Sequence, residues 1–129
     1  LFNRTHPDFP GMHVLNTILG GYFGSRLMTN IREDKGLTYG IGSGLVSLKH
    51  SGFFYITSEV GTDVADVAMN EIFKEIEQLQ KVPVSLSDLG IDHYFRMLET
   101  IQHITPDEIM ELANRYLNID SLYRLKVVK

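Results

Sequence analysis

Arg32 and Tyr39 are the residues of this chain whose types best suit chemistry on a polar substrate. A guanidinium offers fixed, permanently charged donors, and a phenol can donate to a carbonyl oxygen that gains negative charge in a transition state. They stand seven positions apart in LGGYFGSRLMTNIREDKGLTYG (19–40), on either side of Lys35-Gly36. Spacing alone favours a blander arrangement, in which Arg32 meets the negative end of its own helix and Tyr39 packs as a strand aromatic.

Other chemistries find less support. The five histidines are His6, His13, His50, His93 and His103. No two lie one helical turn apart, as a zinc motif on a helix requires, so no bound metal is expected in this segment. With no cysteine, disulfides and thiolate metal sites are excluded. The run Gly20-Gly21-Tyr22-Phe23-Gly24-Ser25 follows a helical pattern rather than a strand and lacks a phosphate-loop fingerprint. Arg26 suits either a substrate contact or an ion pair with a nearby carboxylate. Asp107 with Glu108 fits helix capping, and Glu71 with Glu75 fits a solvated helix face.

Several elements must position these groups. Pro7 and Pro10 bracket Asp8 at the start of a first helix with Met12, Leu15, Ile18 and Leu19 on one apolar face. Gly20 and Gly21 are expected to end it in a left-handed conformation. A short second helix is expected over 26–33, capped by Ser25 and stopped by Lys35-Gly36. Two antiparallel strands, 39–49 and 52–60, follow as a hairpin. Thr62 opens a long helix with Val64, Val67, Ala68, Ile72, Ile76 and Leu79 on its apolar face and Asp66, Glu71, Lys74 and Glu77 in water. Ser85-Leu86-Ser87-Asp88 reads as a further helix start, 94–101 as a short helix, and Thr105-Pro106-Asp107-Glu108 as a capping box. Residues 122–128 alternate as a terminal strand. The pattern is an α+β fold, an antiparallel sheet with helices packed on one face.

The residues Pro7-Asp8-Phe9-Pro10, Val14-Leu15-Asn16, Leu19-Gly20-Gly21, Ser25-Arg26-Leu27, Arg32-Glu33 and Lys35-Gly36-Leu37-Thr38-Tyr39 occur in this order. Together they resemble the non-zinc, C-terminal-type domain of the insulinase/pitrilysin family of zinc metallopeptidases, which includes the mitochondrial processing peptidases and the core proteins of the respiratory bc1 complex. The resemblance extends over 5–85 and again from Gly90 to the end.

It implies a processing-peptidase/LuxS-like metallohydrolase fold, here a single domain over 1–129 without its first strand and without about two helices near 89–90. At that point a capping signal runs straight into glycine, a local contradiction. Either the natural product is shortened or residues are missing from the sequence, and the contradiction favours the second. The resemblance further implies that Arg32 and Tyr39 are substrate-binding residues, reaching toward a zinc ion held by a His-x-x-Glu-His half in the same chain or a second subunit. This segment alone would then be inactive, with no cofactor of its own. The expected assembly is a dimer or a two-half clamshell that takes short or unfolded peptides. The alternative within the same fold is a non-catalytic scaffold, as in the respiratory core proteins.

Length and composition agree with one domain: 129 residues, 43% of them hydrophobic and 10% aromatic, suffice for a core. A net charge of −4 and a pI near 5.7 argue against nucleic acid or an anionic membrane as partner. No apolar run approaches the roughly 18 residues of a membrane span.

Overall fold

The computed structural model describes residues 1–84 and 104–127. Helix α1 (Phe9–Asn16) carries Pro10 in its first turn, where a missing N–H is no loss. It continues as a wide π-type turn, Thr17–Gly21, until Tyr22 turns extended. Met12, Leu15, Ile18 and Leu19 are buried, as their spacing predicts. Gly20 and Gly21 are not left-handed, because Gly36 is the only described glycine with positive φ. Gly20 serves close packing instead: a Cβ there would lie 2.7 Å from Ser43 N and 2.9 Å from Leu27 Cδ1.

Helical winding resumes at Arg26 and widens into a second π-type segment, Met28–Asp34, near the expected 26–33. Ser25 supplies only its main chain to this start. Its carbonyl accepts from Thr29 N–H at 2.9 Å, while its buried hydroxyl has no hydrogen-bond partner. Gly36, at φ +60°, ends the segment in the left-handed turn that other residues adopt at a cost.

Strands β1 (Thr38–Ser47) and β2 (Gly52–Val60) pair antiparallel, with Ser43 opposite Ile56 and Ser47 opposite Gly52. Both lie within a residue or two of the expected hairpin. Alternation along β2 turns Phe54, Ile56 and Val60 toward the core and leaves Phe53 and Tyr55 exposed.

Helix α2 (Ala65–Lys81) buries Ala68, Ile72, Ile76 and Leu79. Three details differ from the sequence reading. Val64, not Thr62, holds the N-cap position and makes no side-chain cap; Val67 is 50% exposed; and Glu71, expected in water, is buried. Helix α3 (Pro106–Tyr116) opens with the expected capping box: Thr105 Oγ1 accepts from Glu108 N–H at 3.2 Å, and Glu108 Oε2 accepts from Thr105 N–H at 2.6 Å.

β1 lies against α1 and both π-type segments, and α3 packs on α1 and α2. Among the described residues the core is one cluster drawn from α1, both π-type segments, β1, α2 and α3. Each large apolar side chain in it contributes about 1.5–3 kcal/mol relative to exposure. The architecture is therefore the expected α+β layer, with one correction. Residues 122–127 form no strand, since the described sheet has two strands and neither pairs with them. Tyr123, Leu125 and Val127 stand exposed. Side chains hold this segment against α2: Arg124 lies 4.3 Å from the Phe73 ring centre, and Lys126 Nζ is 3.5 Å from Asp66 Oδ1. The helix start at 85–88 and the helix at 94–101 lie outside the described residues.

Candidate functional site

Arg32 and Tyr39 come together at the junction of the second π-type segment and β1. The pairing of β1 with β2 slips between Thr38 and Gly40, which leaves Tyr39 as the extra residue of a β-bulge. Such bulges re-aim a side chain out of the ladder. Tyr39 is accordingly 94% exposed. Thr38 fixes the bulge: its Oγ1 accepts from Gly40 N–H at 3.1 Å and from Ser58 Oγ at 2.9 Å.

Arg32 reaches the same place through the Gly36 turn. Its Nε–H donates to the Tyr39 main-chain carbonyl at 3.1 Å, and its guanidinium carbon lies 4.8 Å from the centre of the Phe23 ring. One side chain thus touches the bulge and the glycine-flanked loop at once. Phe23, 62% exposed at that loop's tip, is a third member of the site that the sequence does not single out. Its only signal was a large apolar residue in a turn with no helical period to bury it.

The second π-type segment is clamped to α2 by two ionic groupings. Glu75 accepts from Arg26 Nε at 2.8 Å and from Asn30 Nδ2 at 2.7 Å. Glu71 accepts from Lys35 Nζ at 2.7 Å and Lys74 Nζ at 2.6 Å. Hydrogen bonds from Lys35 first, then Lys74, hold the Glu71 carboxyl at about 2, well below its ordinary value. The pattern of alternating charges on α2 looked like a solvated face because the cations that meet it come from a distant segment. Of the two roles open to Arg26, the structure shows the ion pair.

Asp8 joins α1 to α3. Its carboxylate accepts from Tyr116 Oη and, at 2.6 Å, from Arg115 Nη1, which lowers its pKa. Among the described residues no three of His, Cys, Asp and Glu converge as metal ligands. His6 stacks on Phe2 with ring centres 4.1 Å apart, and its Nδ1 accepts from Asp8 N–H. The donors among the described residues do not fit a zinc site.

A helix-backed antiparallel hairpin thus presents an arginine and a tyrosine at one place on the surface. Residues 2–90 match the family described as the peptidase M16 inactive domain, and the chain belongs to that family. This bears out the resemblance to the insulinase-type zinc peptidases. An uncharacterized zinc protease of Bacillus subtilis, YmxG, is 34% identical over 86 residues, which cover 67% of this chain and 19% of that protein. The chain thus spans about a fifth of the curated relative's length.

Solved structures agree in fold. A peptidase M16 inactive domain from Pseudomonas fluorescens superposes with a TM-score of 0.79 at 22% identity, over 92% of this chain and 36% of that one. A protease from Helicobacter pylori gives 0.77 at 16% identity, with the same shares covered.

Proposed function

We propose that this chain is the substrate-binding, non-zinc half of a zinc metalloendopeptidase, working when closed on a half that carries His-x-x-Glu-His, in the same polypeptide or a second subunit. Zinc belongs to that other half and supplies the Lewis acid. The observation that carries the reading is the Arg32–Tyr39 pair: Arg32 is held by the main chain of the residue whose phenol it accompanies, and that phenol faces solvent. Two donors so placed suit the carbonyl oxygens of an extended peptide. Short or unfolded peptides are the substrate class that the family resemblance implies, since a chamber enclosed by two such halves would favour them.

In the complete enzyme, Arg32→Ala or Tyr39→Phe lowers peptide cleavage by roughly ten- to a thousandfold, the scale of one lost transition-state donor. Wild-type rates in both variants overturn the reading. We also take 1–129 as a single C-terminal-type domain whose natural polypeptide carries further residues near 89–90. Its intact mass then exceeds the 14.7 kDa of this sequence.

A further inference from the structure

We infer that Phe23 is a positioning residue for Arg32, an inference that rests on the proposed substrate-binding role of that arginine. Phe23 occupies the second position of a tight turn closed by a hydrogen bond from Ser25 N–H to the Tyr22 carbonyl at 3.1 Å. The turn is anchored on both sides. Ser25 is 1% exposed, and the Tyr22 ring folds back so close to Gly24 that a Cβ there would lie 2.9 Å from it.

Neither anchor holds the Phe23 ring itself, which projects into solvent, where burial gives it no reason to be large and aromatic. The ring meets the Arg32 guanidinium, whose carbon lies 4.8 Å from the ring centre and inside the range of a cation–π attraction. Together with the Nε bond to Tyr39, this ring contact holds the guanidinium at a second point. A long side chain on an otherwise open surface loses much rotamer freedom when it binds, and a second point of attachment removes part of that loss beforehand. The short glycine-flanked loop thereby has a task beyond turning the chain: it presents one aromatic face to the arginine.

The test uses the complete peptidase and four variants: Phe23→Leu, Phe23→Tyr, Arg32→Ala, and Phe23→Leu combined with Arg32→Ala. Phe23→Leu keeps an apolar side chain but removes the ring face, and it should lower kcat/KM about two- to fivefold, the worth of one exposed cation–π contact. Phe23→Tyr should retain wild-type kinetics. In the Arg32→Ala background, Phe23→Leu should have no further effect, which a merely structural role for the ring would not produce.

The inference is overturned if Phe23→Leu matches wild type while Arg32→Ala is impaired, or if Phe23→Leu costs the same factor with and without Arg32. Full activity in Arg32→Ala removes the parent reading, and this inference with it. Because Phe23 is exposed, the Leu variant should keep the wild-type unfolding midpoint, so a folding defect is separable from a kinetic one.

Discussion

The Arg32 Nε–H donates to the main-chain carbonyl of Tyr39 across 3.1 Å, so the arginine is tied to the bulge that aims the tyrosine outward. Residues seven apart in sequence become one unit because the Gly36 turn folds the end of a helical segment back over the first residues of a strand. The bond engages one of the arginine's five N–H donors.

Arg32→Lys follows from that geometry. A lysine keeps the charge but has no Nε–H to bond Tyr39 while a planar group lies on Phe23. In the complete enzyme it should behave more like Arg32→Ala than like wild type, with kcat/KM down about tenfold or more. Steady-state kinetics on an unfolded peptide decide it, and a fully active lysine variant would mean that charge alone suffices.

Glu71 predicts an acid-sensitive clamp. Its carboxyl titrates at about 2 in the folded chain and at its ordinary value of 4.5 when unfolded. Its stabilising contribution is therefore complete above pH 4.5 and is lost as pH falls toward 2. Glu71→Gln should lower stability near neutrality by about 1.5–3 kcal/mol, the range for hydrogen bonds to charged partners. It should also flatten the dependence between pH 4.5 and 2. Urea unfolding across that interval measures both effects, and an unchanged slope would exclude Glu71 as the titrating group.

Two glycines should respond differently to substitution. At Gly20 an added methyl meets the Ser43 backbone, so Gly20→Ala overpacks the contact of the π-type turn with β1 and costs about 1–3 kcal/mol. At Gly36 nothing lies within 4 Å, and the cost is conformational, about 1–2 kcal/mol for alanine. Asparagine tolerates left-handed backbone. Gly36→Asn should thus recover most of the loss while Gly20→Asn does not, a contrast read from denaturation midpoints.

Removing the α3 cap gives a simpler expectation. Thr105→Ala leaves the Glu108 N–H without its acceptor and should destabilise the protein by about 1 kcal/mol. Thr105→Ser keeps the hydroxyl and should stay within a few tenths of wild type. Equal stabilities for the alanine and wild-type proteins would show that water replaces the cap at no cost.

Sequence by itself determined the elements whose causes are local. The apolar faces of α1 and α2, the capping box at Thr105, the Gly36 stop and the hairpin over 38–60 all follow from spacing, caps and turn residues that act within a few positions. It also singled out Arg32 and Tyr39. Tertiary structure decided what depends on partners far along the chain. Glu71 and Glu75 leave the solvated face of α2 because Lys35, Arg26 and Asn30 arrive from a segment some forty residues earlier. Gly20 is explained by Ser43, and the ring of Phe23 by Arg32. Residues 122–127 alternate like a strand, yet a strand exists only where a neighbouring edge bonds it, and alternation cannot supply that edge.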